Sequence, residues 1–256
     1  MHIRFLGTGT SFGVPVIGCD CAVCHSTDPR DRRYRSSVFI ACQGAAVVID
    51  TGPEFRLQAL AAGIRSLDAV LLTHAHADHI AGLDDVRPLT RECSLPVYAN
   101  GEALRETRRR FGYVFEKTQE GGGKPDIALV EAPREGVVVG AARFIPVPVL
   151  HGELPILGWR IKDFAYITDC SRLPAESVEM LRGVRTVVIN GLRYEPHDTH
   201  FCFDQAFEAA RAIGAQETWL THINHGSSHA EIQAYCAQRG RDVGAHPAWD
   251  GLTLTA

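Results

Sequence analysis

The chain is poor in lysine: only Lys117, Lys124 and Lys162 occur, and the rest of its 26 cationic side chains are arginine. Set against 30 acidic residues, the net charge is -4. That balance excludes a protein built around a broad nucleic-acid footprint. Two basic runs are present, Arg30-Asp31-Arg32-Arg33-Tyr34-Arg35 and Arg108-Arg109-Arg110. Each reads as a solvated face or a small phosphate pocket, not as a duplex-tracking surface. No run of about 18 apolar residues occurs, so no helical membrane span is expected. Residues 1–6 read directly as strand, without signal-peptide architecture, and the expected location is the cytoplasm. Internal repeats and low-complexity segments are missing too. An apolar share of 45% with 22% charge excludes global disorder and coiled coil. The eight cysteines, in a chain of this size and expected compartment, do not form a disulfide framework.

What is present is a series of short, β-branched apolar runs alternating with helix-like stretches. Strands are expected at residues 2–6, 37–41, 46–49, 67–72, 96–98, 127–130, 137–139, 142–147, 157–161, 165–167, 186–189, 218–220 and 252–254. Helices are expected at 54–62, 79–89, 101–111, 175–181, 204–213 and 228–238. Strand pairs followed by a mixed strand–helix order point to an α/β protein with two sheets covered by helices, a single domain over residues 1–256. The turn-rich stretch from Glu120 to Pro125 is expected to separate the two halves.

Twelve histidines are present, and their placement carries the chemistry. Thr73-His74-Ala75-His76-Ala77-Asp78-His79 follows an apolar strand and crowds four metal-ligand side chains into six residues. His74 and His76 can lie on one side of an extended loop while Asp78 and His79 turn to the other, which suits two adjacent cations. Imidazole and carboxylate suit zinc, manganese or iron. His151, Asp169 and His222 repeat the placement, each just beyond a buried apolar run. Two cations sharing a bridging water would hold a hydroxide facing a substrate, so the expected reaction is metal-assisted hydrolysis. Separately, Cys19, Cys21 and Cys24 offer three soft ligands in a Gly- and Pro-containing loop, the pattern of a structural zinc lacking its fourth partner.

The ordered set Thr73-His-x-His-x-Asp-His79, His151, Asp169, His222 resembles the metallo-β-lactamase superfamily over nearly the whole chain. The resemblance implies a four-layer αβ/βα sandwich of two mixed β-sheets flanked by helices. It also implies that His74, His76 and His151 hold one cation (zinc or manganese) and Asp78, His79 and His222 a second, with Asp169 bridging. Asp50 matches a position that orients a ligand histidine from behind. The segment Gly7 to Pro15, the cysteine trio and Arg35-Ser36-Ser37 are similar to the cyclic-phosphate phosphodiesterase branch, which serves the carbon–phosphorus lyase pathway. In that branch a histidine three residues past the last ligand completes the structural zinc, here His225. Asp198-Thr199-His200 matches its histidine general acid at His200, and His197 is the nearby competitor.

The resemblance thus implies a dinuclear metal phosphodiesterase for a small cyclic phosphate or nucleotide-like diester. The expected partners are that substrate and a second copy of the chain, without membrane or large duplex nucleic acid. Rivals within the superfamily are an RNA 3′-processing endonuclease and a glyoxalase-type thioesterase. A metal-binding scaffold without catalysis is the rival outside enzymology. The stretch from Arg105 to Gly123 departs from the branch's pattern.

Overall fold

In a strand, successive side chains point to opposite faces, and here both faces are apolar. In Phe164-Ala165-Tyr166-Ile167, the two aromatics join one buried cluster while Ala165 and Ile167 join another. Val47 and Ile49 likewise face one cluster and Val48 a third. Strands apolar on both sides must be covered on both sides, and that requirement produces the layers.

The computed structural model describes residues 1–117 and 123–255. The first sheet holds β1 (His2–Gly7), β2 (Ser37–Cys42), β3 (Ala45–Ile49), β4 (Ala69–Leu71), β5 (Leu95–Ala99) and β6 (Ile127–Glu131). The second holds β7 (Val137–Val139), β8 (Ala142–His151), β9 (Leu154–Ile161), β10 (Phe164–Ile167), β11 (Thr186–Asn190), β12 (Glu217–Thr221) and β13 (Ala245–Pro247). A final strand, β14 (Thr253–Thr255), returns to pair with β1. Each sheet joins an antiparallel half to a parallel half. Pairings around β1 and β2 are antiparallel and those from β3 to β6 parallel. In the second sheet β7 to β10 are antiparallel and β10 to β13 parallel.

The central cluster lies between the sheets and contains Phe5, Phe144, Trp159, Phe164 and Tyr166, all fully buried. The outer face of the first sheet is covered by α1 (Phe55–Ala62), α2 (Ala77–Ile80), α3 (Gly101–Arg110) and α4 (Gly112–Phe115). That of the second is covered by α5 (Ala175–Met180), α6 (Phe203–Ile213) and α7 (His229–Arg239). The result is the expected αβ/βα sandwich. Among the described residues no helix is long and apolar enough to cross a membrane.

Three local expectations need correction. Residues 120–122 of the turn-rich stretch lie outside the described residues, and the stretch does not divide the halves. It precedes β6, which belongs to the first sheet, and the chain passes to the second sheet only after Glu131. The expected helix over 79–89 is broken: α2 ends at Ile80, and Leu83–Leu89 is a 3-10 helix containing Pro88. The cause is tertiary. The His79 carbonyl accepts from the Thr51 amide, the Gly82 amide donates to the Thr51 carbonyl, and a Cβ on Gly82 would stand 2.1 Å from the Gly52 carbonyl oxygen. Finally, β13 and α4 escaped the sequence reading, being too short for a periodic signal.

Candidate metal centre

The ligand-type side chains leave the C-terminal ends of strands from both sheets, the edge at which α/β sheets commonly bind ligands. Asp50 follows β3, His74 lies three residues past β4, His151 ends β8, Asp169 lies two past β10, and His222 follows β12. Three of them hold left-handed backbone, with φ of 63° at Asp50, 58° at Asp169 and 55° at His222. Such a conformation in a non-glycine residue costs on the order of 1 kcal/mol or more, and it collects at functional sites.

Two groups form. Ligand atoms of His74, His76 and His151 lie within 4.8 Å of one another, and so do those of Asp78, His79, Asp169 and His222. Asp169 touches both. Its Oδ1 stands 3.3 Å from His79 Nε2 and 3.2 Å from His222 Nδ1; its Oδ2 stands 3.9 Å from His74 Nε2 and 3.3 Å from His200 Nε2. Behind the site, fully buried Asp50 accepts from the Thr73 amide and hydroxyl, each at 2.8 Å, and from His79 Nδ1 at 2.7 Å. His79 therefore directs Nε2 forward. His151 is fixed the same way, with Nδ1 donating to the Thr199 carbonyl at 2.7 Å. Carbonyl and carboxylate partners of this kind set the tautomer of a ligating imidazole.

The electrostatics match a cation site. Burial pulls His74 well below the usual imidazole range, and it pulls His222 down to about 4, so both rings are neutral donors. Burial opposes ionisation of Asp169, but the neighbouring His222 and His79 rings and the hydrogen bonds from His200 and His79 outweigh it and hold the carboxyl well below its usual range. Burial also opposes a charge on His79, yet Asp169, Asp78 and Asp50 overcome it and raise that ring well above normal. Three carboxylates thus favour positive charge at this spot. The Nε2 atoms of His74 and His79 are buried without a hydrogen-bond partner. The neutral rings of His74 and His222, the ionised Asp169 and the unsatisfied ring nitrogens suit divalent metal ligation, and a cation would take the place of the proton that the carboxylates favour on His79.

His200 sits on the 191–202 loop, tied to the end of β10 by the Phe201 amide donating to the Cys170 carbonyl at 2.8 Å. Its ring stacks on His222 at 4.9 Å and 13°, and its Nδ1 lies 2.9 Å from Thr199 Oγ1. His200 also stands within ligand distance of His151 and Asp169, so the geometry allows an acid role and a ligand role alike. His197 is more exposed, its ring 5.2 Å from that of His200.

The cysteine loop gathers a second centre. Cys19, Cys21 and Cys24 place Sγ at 3.4, 3.5 and 3.5 Å from His225 Nδ1. A tetrahedral zinc with bonds of about 2.3 Å to sulfur and about 2.0 Å to nitrogen separates those atoms by about 3.5 Å. The Cys24 amide and His225 hold the Cys21 thiol down to about 6, while burial pushes Cys24 up to about 11. The segment just past β1 meets the ligand-bearing edge: the Ile223 amide donates to the Thr8 carbonyl, and Gly9 bridges Ile223 and Arg35. Gly7 permits the crossing, since a Cβ there would lie 1.9 Å from the Arg35 carbonyl oxygen.

The basic run at 30–35 is mostly consumed internally. Arg30 pairs with Asp28 and Arg35 with Glu54, while buried Arg33 donates to Thr8 Oγ1 at 2.8 Å and the Ala248 carbonyl at 2.7 Å. Arg109 and Arg110, in contrast, line a cavity of about 430 Å³ that opens beside His74 and His76. Sequence reasoning missed the Thr199 carbonyl and Thr73, whose roles run through backbone and local bonds that no side-chain pattern announces. Ser36, 3.4 Å from His222 Nδ1, was signalled only by the Arg35-Ser36-Ser37 motif.

Residues 46–223 match the model of the Beta-lactamase superfamily domain. The chain belongs to the metallo-β-lactamase superfamily and is a hydrolase of that fold. Among solved structures it is similar to a diphosphatase from the PhnP family, with 43% identity and a TM-score of 0.89 over 100% of this chain and 97% of that one. That neighbour agrees with the cyclic-phosphate branch to which the motifs point. Zinc-bound PqqB of Methylobacterium extorquens shares the fold, with a TM-score of 0.80 at 19% identity over the whole of both chains. Among curated proteins, an octanoyltransferase of Porphyromonas gingivalis is 44% identical over 91% of this chain, which spans only 48% of that protein. Coenzyme PQQ synthesis protein B of Methylorubrum populi is 34% identical over 96% of this chain and 89% of its own length. A ribonuclease Z of Mycobacterium sp. (strain KMS) is 43% identical over 76% of this chain and 79% of its own.

Proposed function

We infer that the chain hydrolyses a small phosphodiester, a cyclic phosphate or nucleotide-like diester, using two divalent cations (zinc or manganese) at the strand ends and a separate structural zinc. The observation that carries this reading is Asp169, whose two oxygens face different ligand groups. In this reading His74, His76 and His151 hold one cation, Asp78, His79 and His222 the other, and Asp169 serves both. When bound, such a pair neutralises charge on phosphoryl oxygens and makes a water acidic enough to attack near neutral pH.

The chain's own residues supply orientation and the proton. Asp50 and the Thr199 carbonyl hold His79 and His151 in single tautomers. His200, beside Asp169 on a backbone-anchored loop, protonates the departing alkoxide. The similarity to a diphosphatase supports phosphoryl over acyl chemistry. A nuclease reading draws support from the ribonuclease Z relative. Scarce lysine and internally paired arginines weigh against a long RNA track.

The test is a panel assayed with zinc and with manganese: bis(p-nitrophenyl) phosphate, a 2′,3′-cyclic nucleotide, a precursor transfer RNA and an acyl-thioester. Cleavage of the small diesters with the thioester untouched supports the reading. Thioester cleavage alone overturns it. RNA cleavage that falls steeply with salt, without small-diester turnover, transfers the assignment to the nuclease.

A further inference from the structure

The 191–202 loop carries two histidines, and they face each other through one nitrogen each. His200 turns Nε2 to Asp169 Oδ2 at 3.3 Å, and its other ring nitrogen, Nδ1, stands 3.4 Å from Nδ1 of His197. His197 is therefore behind the ring of His200, away from the ligand groups. The loop that holds them is tied at its base and braced within. The Leu192 amide donates to the Phe201 carbonyl at 2.9 Å, and the Phe203 amide to the Arg193 carbonyl at 3.0 Å. Arg193 donates from Nε to the Glu195 carbonyl and from Nη2 to the Pro196 carbonyl, each at 3.3 Å.

Thr199 stands between the two histidines and commits every group it has. Its carbonyl accepts from His151 Nδ1 at 2.7 Å. Its methyl packs on the β8–β9 turn, where a Cβ on Gly152 would lie 3.2 Å from it. Its hydroxyl lies 2.9 Å from His200 Nδ1 and 3.2 Å from His197 Nδ1, and its amide lies 3.3 Å from His197 Nδ1.

The amide gives this chain of contacts a direction. A backbone N–H can only donate, so His197 Nδ1 accepts and carries no proton. The hydroxyl has one proton to give and two lone pairs. It donates to His197 Nδ1 and accepts from His200, so His200 carries a proton on Nδ1. The opposite order, with the hydroxyl donating to His200, would leave two unprotonated Nδ1 atoms facing each other at 3.4 Å. One arrangement satisfies all the contacts.

We propose that His197, acting through the Thr199 hydroxyl, is the positioning residue of the proton donor: it keeps Nδ1 of His200 protonated, so that the proton given to the leaving oxygen comes from Nε2. In that transfer the Nε2–H bond breaks as the alkoxide O–H bond forms, and the ring becomes neutral while keeping its Nδ1 proton. No proton passes through His197. The inference rests on the phosphodiesterase reading for the departing alkoxide, but the direction of the chain stands on the hydrogen bonds alone. Which nitrogen of an imidazole carries the proton is set by the partner of the other.

The test is a nitrogen-15 spectrum of the histidine-labelled, zinc-loaded protein, with the His200 signals identified by their loss in His200→Ala. Turnover of a 2′,3′-cyclic nucleotide and of bis(p-nitrophenyl) phosphate is measured alongside. The neutral His200 ring of wild type should carry its proton on Nδ1. Thr199→Val and His197→Phe each break the chain, and each should move that proton to Nε2. Both should lower kcat on the cyclic nucleotide about tenfold, the scale of one hydrogen bond, with KM near its wild-type value. The nitrophenyl diester should be affected less. His197→Asn places an amide oxygen where Nδ1 stood, so it should restore both the Nδ1 proton and the turnover. A wild-type proton on Nε2, or an Nδ1 proton that survives Thr199→Val and His197→Phe alike, overturns the proposal. So does a His197→Asn protein that keeps the Nδ1 proton yet turns over as poorly as His197→Phe, since His197 would then be carrying protons itself. The expected spectra without cleavage of either diester sustain the hydrogen-bond chain and overturn the phosphodiesterase reading instead.

Discussion

The two candidate metal centres come within three residues of each other along the chain, at His222 and His225, yet they are built in opposite ways. The dinuclear candidate collects ligands from strand ends of both sheets, buries most of them, and holds two, Asp169 and His222, in left-handed backbone. The cysteine centre takes three ligands from one half-buried loop and closes with a single distant histidine. A four-ligand thiolate site leaves no position for substrate, whereas strand ends from two sheets converge on an open edge. In the proposed reading the first centre, framed by the core, does the chemistry, while the second fastens a loop to that frame.

The largest effect that would break this comparison belongs to His200. If it is the acid, His200→Ala should lower kcat on an alkyl or cyclic diester by roughly two to four orders of magnitude with metal content unchanged. A nitrophenyl diester, whose leaving group barely needs a proton, should lose much less. Equal losses on both, or loss of metal, assign His200 to the ligand set with His151 and Asp169. Next in size is Asp50→Asn, which cannot accept from His79 while satisfying Thr73 as before. Activity or metal affinity should fall about 10- to 100-fold, read by turnover and by metal titration.

Cys21→Ser sharpens the contrast from the other side. It should lower unfolding stability by about 2–4 kcal/mol, measured by denaturant titration, while kcat of the folded fraction stays within a few-fold. The smallest effect concerns the buried polar cluster of Asp31, Arg33 and His229. His229 is buried there, its Nδ1 3.4 Å from Arg33 Nη2, and burial with the Arg33 charge pulls its ring down to about 4. Protonation is thus disfavoured in the folded state. Its stabilisation is complete above the unfolded value of about 6.5 and is lost as pH falls toward 4. His229→Gln should remove about 1 kcal/mol of the stability difference between pH 7 and pH 5, read from melting curves at the two values.

Much of this was legible in sequence because ligand residues are chemically distinctive and crowd into 74–79 and 19–24. The layered fold was legible because strands such as Phe164–Ile167 are apolar on both faces. Three things were not. The break after Ile80 depends on the 50–52 loop borrowing helix backbone groups, a contact of long sequence separation. The fixing of His151 runs through a main-chain carbonyl. The fate of the arginines was illegible because Arg33 and Arg109 look alike in sequence: one is buried beneath β1, the other faces a cavity, and only the packing of distant elements separates them.

In the proposed function a shared carboxylate organises an active metal pair independently of the cysteine-bound zinc. Elemental analysis of wild type, Asp169→Ala and Cys21→Ser, paired with turnover of bis(p-nitrophenyl) phosphate, tests it most directly. Wild type should carry about three metal equivalents per chain. Asp169→Ala should lose at least one of the active pair and roughly three orders of magnitude in turnover, and it should keep the cysteine-bound zinc. Cys21→Ser should lose that zinc alone and continue to turn over. A folded Asp169→Ala protein with full metal content and normal turnover would contradict the account, as would a Cys21→Ser protein that loses the active pair together with its zinc.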